Sequence, residues 1–235
     1  MGFFRNGEKQ KKPMIGPTTE FSVRLELGGL SKKKGGCVLK LEEIESQLRH
    51  HKANLLETIG ASKAAVALII LEGSTVAEPA VVFIKRAERP NDPWSGHIAF
   101  PGGRFESQDS GIFGTVCRET REEIGLDLAS VQPIGRLDDQ RGSQEGQSIN
   151  LIVSCFIFGL RSTEDLIPNY EVAEIALVPL SSLLDPSAQT KVARTKGGYT
   201  FPGICMGTGE SIIWGLTYRF VSQFFAILGH RLPVA

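Results

Sequence analysis

The chain has no excess of charge of either sign, because 26 Lys and Arg residues balance 26 Asp and Glu residues among its 235. This balance excludes the broad positive field that holds a nucleic-acid backbone, and it excludes an acidic tail. We therefore expect no nucleic-acid partner. Any anionic ligand has to be bound by a local group of side chains.

Long apolar runs are also missing. No stretch reaches the roughly 18 apolar residues that span a membrane, and Met1 to Thr19 is basic and polar, unlike a secretory leader. The four cysteines lie far apart without a CxxC pair, which argues against a structural zinc site and favours reduced packing residues. These absences predict a cytoplasmic protein with no membrane partner.

The hydrophobic content of 41% is enough for one ordinary globular core. Residues 1–36 are basic and rich in Gly and Pro, and they predict a mobile N-terminal extension in which Lys32 to Lys34 form a solvated loop. Residues 37–235 are predicted to form a single domain, since the sequence shows no internal repeat and no clean linker.

Helices are predicted where apolar residues recur every three or four positions, and strands where short apolar runs end at turn residues. The predicted helices are Leu41–Glu57, Ile112–Ile124, Ser181–Leu184 and Ile212–Leu228. The predicted strands are Ala64–Leu71, Ala80–Lys85, His97–Phe100, Val131–Leu137, Ile149–Phe158 and Val172–Val178. Gln140–Gln147 is predicted to be a polar substrate loop. Together these elements predict one mixed α/β domain.

Three carboxylates are crowded on one face of the helix predicted at Ile112–Ile124. Glu119, Glu122 and Glu123 stand at positions i, i+3 and i+4, about 5 to 6 Å apart at their Cβ atoms. Such crowding raises each pKa and destabilises the helix unless cations lie among the carboxylates. The cations could be neighbouring arginines on a solvated helix face, or a hard divalent ion, which prefers carboxylate and carbonyl oxygens.

A glycine turn precedes this helix and makes the metal interpretation more attractive. The turn Pro101-Gly102-Gly103 follows a predicted strand, and glycine allows a backbone carbonyl to approach an ion closely. Upstream, Trp94 lies in a compact loop, where it could stack on a nucleobase or cover the core. Both roles of Trp94 remain open at this point.

The stretch from Gly103 to Leu126 resembles the Nudix box, which ends in Arg-Glu-(apolar)-x-Glu-Glu-x-Gly-(apolar). The second half fits at six positions: Arg118, Glu119, Glu122, Glu123, Gly125 and Leu126. Thr120 stands where an aliphatic residue is usual. The first half is one residue longer than the usual box and lacks its glutamate, so that Asp109 or Glu106 would have to substitute.

The longer box, with aspartate in place of glutamate, is similar to the branch that resembles coenzyme A diphosphatases. In that branch the box follows Ala-Phe-Pro-Gly-Gly, as at Ala99 to Gly103 here. An upstream signature of that branch is altered, because Asp92 stands where a second arginine is expected. Arg89 could take over the missing contact, or Arg86 and Arg89 could be surface charges. The resemblance covers roughly residues 64 to 185.

The resemblance implies a Nudix-type mixed β-sheet sandwiched between helices, of class α/β (α+β), and an enzyme that uses Mg²⁺ or Mn²⁺. The implied metal ligands are Glu119, Glu122, Glu123 and the carbonyl of Gly103. The implied catalytic residues are Glu122, Glu123 and Arg118, the last orienting the glutamates. The implied substrate contacts are Arg86, Arg89, Trp94, Gly102 and Arg104.

The general base and the substrate stay open at the level of sequence. The base is Glu122 or Glu123, or a later acid chosen from Asp138, Asp139, Glu145, Glu164 and Glu171. The expected partner is a small nucleotide-diphosphate substrate, first of all coenzyme A, cut to a phosphopantetheine fragment and 3′,5′-ADP. The alternatives are ADP-ribose, NADH or a dinucleotide polyphosphate, and a Nudix-fold binding module without turnover. A homodimer is left open.

Overall fold

The computed structural model describes residues 39–73, 76, 78–90, 92, 94–144, 147–162, 166–193, 200–207 and 211–233. For residues 23–25, 143, 144, 147 and 148 it describes the backbone alone. Several predictions fall outside these residues, namely most of the N-terminal extension with Lys32 to Lys34, and the base candidates Glu145 and Glu164. The predicted division at residue 36 therefore stays a prediction.

Within the described residues the chain forms two sheets and four helices. The strands of the large sheet are β1 (Val23–Leu25), β2 (Ser62–Leu71), β3 (Ala80–Arg86), β4 (Ile98–Ala99), β5 (Gly102–Arg104), β6 (Gly135–Arg136), β7 (Gln140–Gln144), β8 (Gln147–Leu160) and β9 (Val172–Pro179). The strands of the small sheet are β10 (Gln189–Ala193), β11 (Thr200–Met206) and β12 (Ser211–Trp214). The helices are α1 (Leu41–Leu48), α2 (Ile112–Ile124), α3 (Leu180–Leu183) and α4 (Gly215–Ile227).

The large sheet is mixed. Its main path runs β1-β9-β3-β2-β8-β6, while β4 pairs with β3, β5 with β2, and β7 with β8. The longest pairing is parallel, from Ser62 opposite Leu151 to Leu71 opposite Leu160, whereas β2 and β3 are antiparallel. A central strand covered on both faces needs apolar residues at nearly every position, and most of β2 is apolar and buried.

Helices cover both faces of this sheet. Leu68 and Ile70 of β2 belong to a core that also contains side chains of α1 and α4, whereas Ile69 and Leu71 belong to a second core formed with α2. This alternation follows from the two-residue period of a strand. The predicted mixed sheet between helices is therefore confirmed. No helix in the described part of the chain has the length and apolar character to cross a membrane.

The predicted helix Leu41–Glu57 is wrong in its second half, because α1 ends at Leu48. The following segment is extended, and its backbone is bound by side chains distant in sequence. The N–H of Asn54 donates to Asp138 Oδ1 at 2.8 Å, and the N–H of Leu56 donates to Asp139 Oδ2 at 3.0 Å. These bonds replace helical ones, so a long-range contact overrides the local apolar spacing.

Two other predicted elements are corrected. Gln140–Gln144, predicted as part of a substrate loop, pairs with β8 as strand β7. The apolar segment Ile212–Leu228 is not one helix, because Ser211–Trp214 forms β12 and α4 begins at Gly215. Strands β10 and β11 had no counterpart in the sequence prediction. The small sheet and α4 together close one side of the site described next.

Candidate active site

Helix α2 and strand β5 bring the acidic side chains together. Val116 and Ile124 pack against the large sheet and fix the rotation of α2. Glu119 and Glu123 lie on the flank of α2 that faces β5, one turn apart. The helix has the predicted bounds and ends at Gly125, as expected. Its register therefore aims two glutamates at the glycine turn.

Both glycines of that turn are required by close approach. Gly102 has φ +145°, and a Cβ added there would lie 2.2 Å from the carbonyl oxygen of Ala65 on β2. A Cβ at Gly103 would lie 2.3 to 2.6 Å from the carboxylate atoms of Glu119. Such distances are far below van der Waals contact. The absence of side chains at these positions lets the carboxylate of Glu119 lie against the backbone of β5.

Glu123 is the most deeply buried acid of the predicted set. Its side chain is 2% exposed, and its Oε2 accepts a hydrogen bond from the N–H of Gly102 at 2.8 Å. Burial raises the pKa of Glu123 to about 8, and the nearby carboxylates of Glu119 and Glu171 act in the same direction. The Gly102 hydrogen bond and the charge of Arg86 partly oppose this rise. At neutral pH the folded protein therefore favours the protonated form of Glu123.

Arg118 joins the two halves of the motif. Its Nη1 donates to Glu119 Oε1 at 3.0 Å and to Glu122 Oε2 at 3.2 Å, and its Nη2 donates to the Arg104 carbonyl at 3.1 Å. Its Nε donates to Asp109 Oδ1 at 2.7 Å. These anionic contacts raise the pKa of Arg118 well above its usual value. Arg118 thus holds the glutamates in place, in keeping with the orienting role predicted for it.

Asp109 fills the place of the missing box glutamate. The hydrogen bonds from Arg118 hold its pKa far below the usual range, with help from the Thr115 hydroxyl at 2.8 Å and the Glu106 N–H at 2.9 Å. The Asp109 side chain is 2% exposed, whereas Glu106 is exposed. Of the two substitutes considered from sequence, Asp109 is therefore the one that binds the arginine of the motif.

Thr120 also departs from the family pattern, and the structure shows a cost. The residue is fully buried between α2 and the large sheet. Within the described residues its hydroxyl has no hydrogen-bond partner. A buried hydroxyl without a partner is destabilising relative to a methyl group of the same shape.

The acidic residues suit a divalent cation by their chemistry. Burial raises the pKa of Glu119, which Arg118 lowers and the charges of Glu122 and Glu171 raise further. Oxygen donors of this kind match Mg²⁺ and similar hard cations. In the described part of the chain no three acidic, His or Cys side chains converge on one point. Arg118 binds Glu119 and Glu122, while Glu123 turns to Gly102, so that cation binding requires these side chains to rearrange.

A cavity of about 810 Å³ opens beside the carboxylates of Glu119 and Glu123. Among the predicted substrate contacts, it is lined by Arg86, Trp94, Gly102 and Arg104. Gly103 also lines it, whereas Glu122 projects to solvent with 53% of its side chain exposed. The volume is in the range of cavities that hold cofactor-sized ligands.

Two of the predicted arginines are engaged with acids. Arg86 Nη2 donates to Asp92 Oδ2 at 2.8 Å. Arg89 lies outside the cavity lining, where its Nη1 donates to Glu171 Oε1 at 3.1 Å and its guanidinium covers the ring of Tyr170 at 4.9 Å. Arg89 therefore contacts the site through Glu171, and its predicted substrate contact stays a prediction.

The loop acids separate clearly by position. Asp139 is buried against Arg136 and the Ser154 hydroxyl, both at 2.8 Å, and Asp138 pairs with His51 at 3.2 Å. Neither lines the cavity. Glu171 does line it, and its charge raises the pKa of both nearby box glutamates. Of the described loop candidates for the base, Glu171 is the one next to the acidic cluster.

Sequence reasoning missed the wall of the cavity opposite the carboxylates. It comes from β4, the small sheet and the first turn of α4, and its residues include His97, Phe201, Pro202, Trp214, Leu216 and Tyr218. One signal was available, since two apolar runs flanking Gly207 and Gly209 are typical of a hairpin. That pattern could have predicted the strands but not which cavity they enclose.

A helix with crowded glutamates, an arginine that holds them and a glycine turn beside a deep cavity define an enzyme site suited to cation-assisted cleavage of a phosphate substrate. The family model of the NUDIX domain matches residues 61–196, which is more than half of the chain. The chain therefore belongs to the Nudix family. It is a Nudix hydrolase, and such enzymes generally need divalent metal ions.

Relatives extend over most of the chain. Human mitochondrial coenzyme A diphosphatase NUDT8 is 29% identical over 179 residues, covering 74% of this chain and 74% of the human protein. An uncharacterized Nudix hydrolase NudL of Citrobacter koseri is 30% identical over 178 residues, covering 74% of this chain and 87% of the bacterial protein. An uncharacterized protein of Schizosaccharomyces pombe is 38% identical over 118 residues, but the match spans 48% of this chain and 36% of the yeast protein.

Proposed function

We propose that this enzyme hydrolyses the diphosphate bond of coenzyme A or a derivative, giving a phosphopantetheine fragment and 3′,5′-ADP. The observation that carries the hydrolysis is the buried carboxyl group of Glu123 beside Glu119, at the edge of a cavity of about 810 Å³. Coenzyme A as the substrate is supported by the Ala99–Gly103 sequence before the box, by Asp109 in the lengthened box, and by the name of the human relative.

We expect Mg²⁺ or Mn²⁺ to be held by Glu119, Glu122, Glu123 and the Gly103 carbonyl, which are hard oxygen donors. Bound cations would supply positive charge that offsets the diphosphate oxygens. The protein's own part is to keep the carboxylates close together, through Arg118 and the two-glycine turn. Glu123 would give up its proton when a cation binds, because a nearby positive charge favours the ionised carboxylate.

The reaction requires a base that takes a proton from the attacking water. As the water oxygen forms a bond to one phosphorus, the bond from that phosphorus to the bridging oxygen breaks, and the other phosphate leaves. Glu171 is the loop acid that the cavity lining favours, and Glu122 and Glu123 are the alternatives within the box. Glutamine at each position would separate them, since loss of the base removes the acidic limb of the kcat profile against pH.

A second substrate class is favoured by one contact. Asp92 binds Arg86 at 2.8 Å, and Asp92 stands where the coenzyme A branch has a second arginine. An acid at that position weakens the attraction for a highly anionic substrate. ADP-ribose, NADH and dinucleotide polyphosphates are therefore the alternatives, and a binding module without turnover is the third reading.

A substrate panel tests the proposal. The purified protein with Mg²⁺ or Mn²⁺ is incubated with coenzyme A, ADP-ribose, NADH and a diadenosine polyphosphate, and the products are identified by mass. We expect kcat/KM for coenzyme A to exceed the others by more than about tenfold, equivalent to about 1.4 kcal/mol. A smaller preference would remove coenzyme A as the proposed substrate. No turnover of any compound by the wild type would favour the binding module.

The metal assignment has its own test. Glu119→Gln/Glu123→Gln should lose turnover, while Glu57→Gln, at a site remote from the cavity lining, should retain it. Equal turnover by the wild type and the double variant would contradict the assignment. A cytoplasmic location and a homodimer remain predictions, and the human relative is named as mitochondrial.

A further inference from the structure

The cavity wall opposite the carboxylates is built by residues beyond the matched domain. The NUDIX match ends at residue 196, whereas Phe201, Trp214, Leu216 and Tyr218 follow it and line the same cavity as Glu119. The chemistry of the family therefore does not account for this wall. Its side chains are aromatic and apolar, so that its ligand is an uncharged part of the substrate.

Three aromatic rings are grouped in this wall. The ring centroids of His97 and Trp214 are 4.8 Å apart with an interplanar angle of 67°, and those of Phe201 and Trp214 are 6.3 Å apart at 49°. All three residues line the cavity. Aromatic side chains grouped in this way provide faces for stacking a planar ring, and every nucleobase has such a face.

The wall is anchored firmly to the rest of the protein. Ile204 of β11 and Ile213 of β12 lie opposite each other and are fully buried in the core. Thr217 of α4 donates a hydrogen bond from its hydroxyl to the Ile98 carbonyl at 3.3 Å. Phe220 and Phe224 anchor α4 in the same core. The aromatic rings therefore hold a fixed position relative to the carboxylates, as a binding subsite requires.

We propose that His97, Phe201 and Trp214 form the subsite that stacks the nucleobase of the diphosphate substrate. The inference rests on the proposed function only in assuming a nucleotide substrate, and it holds for coenzyme A and ADP-ribose alike. The uncharged base lies against the aromatic wall, and the diphosphate extends toward Glu119 and Glu123, where cations offset its charge. Trp94, on another part of the lining, is then not the stacking residue.

The two tryptophans of the chain, Trp94 and Trp214, allow a direct test. In Trp94→Phe the remaining emission reports on Trp214, and in Trp214→Phe it reports on Trp94. The ligand is 5′-AMP, and its matched control is ribose 5-phosphate, which carries the same phosphate without the base. We expect 5′-AMP to change the emission of the Trp94→Phe protein saturably, and ribose 5-phosphate to leave it unchanged.

Changes at Phe201 then measure the stacking. In the Trp94→Phe background, Phe201→Ala should weaken 5′-AMP binding by about tenfold, within the range expected for one base-stacking partner. Phe201→Tyr keeps the ring and should bind within about twofold of its parent. Ile212→Ala removes a half-buried apolar side chain of the same sheet outside the cavity lining and should also bind normally. Equal melting temperatures would show that the variants fold.

The competing results are distinct. A response to 5′-AMP in the Trp214→Phe protein alone would overturn the proposal in favour of Trp94. Pantetheine that displaces nothing supports the base as the occupant, whereas pantetheine that changes Trp214 emission when 5′-AMP does not would assign the wall to the other half of coenzyme A. Coenzyme A turnover without 5′-AMP binding at Trp214 rejects only the subsite. Binding of 5′-AMP without coenzyme A turnover rejects only the proposed substrate.

Discussion

The burial of Glu123 predicts an unusual dependence of stability on pH in the absence of divalent cations. Its pKa rises from the usual 4.5 to about 8 in the folded protein, chiefly through burial. Between these values the folded protein holds a proton that the unfolded chain has released. The contribution of this carboxyl group is therefore fully present below pH 4.5 and is lost as the pH rises through 8.

The size of the effect follows from the same shift. One pKa unit corresponds to about 1.4 kcal/mol, so the free energy of unfolding should lose up to about 4 kcal/mol between pH 4 and pH 8 through this group. Glu123→Gln stays neutral at every pH and can still accept the Gly102 hydrogen bond. We expect the variant to be more stable than the wild type at pH 8 and similar at pH 5, although it loses activity.

The measurement is urea unfolding of both proteins in EDTA at half-unit steps from pH 5 to pH 8. The difference between the two proteins at each pH isolates the contribution of Glu123, because other groups titrate equally in both. Glu122→Gln is the control, since 53% of that side chain is exposed, and it should track the wild type. Mg²⁺ should reduce the pH slope of the wild type and leave that of Glu123→Gln unchanged. A difference that stays flat with pH would refute the reasoning.

Other changes test the surrounding contacts. Gly102→Ala places a Cβ 2.2 Å from the Ala65 carbonyl oxygen and should cost about 2 kcal/mol or more in urea unfolding, and a normal midpoint would contradict the fit. Asp109→Asn leaves the charge of Arg118 partly uncompensated and should lower stability by about 2 kcal/mol and kcat by about tenfold, with an unchanged kcat disproving the positioning role. Thr120→Val removes a buried hydroxyl without a partner and should raise stability by about 1 kcal/mol in thermal unfolding, so any destabilisation would show an overlooked partner.

The motif helix was predictable because its signals are local. The apolar spacing of α2 and the stop at Gly125 predicted the observed bounds, Ile112–Ile124. The same local spacing extended α1 to Glu57, where the structure ends it at Leu48. That error arises because Asp138 and Asp139 bind the backbone of the following segment from more than 80 residues away. Pattern within a segment carries no information about such contacts.

The site was predictable in its acidic half and not in its aromatic half. The glutamates and Arg118 stand within one helix, so their proximity follows from the helical period. His97 and Trp214 are brought together by the pairing of two sheets, and nothing near either residue indicates the other. The choice between Asp109 and Glu106 also required coordinates, since both precede α2 and only the contact with Arg118 distinguishes them.

The two halves of the cavity come from separate stretches of chain, one within the matched domain and one after it. Mutations that accumulate in the final forty or so residues can reshape the enclosure while the carboxylates and their arginine stay intact. Selectivity is thus free to evolve on its own, and relatives that share the same bond-breaking centre can diverge in diet by exchanging a few rings at the C-terminus.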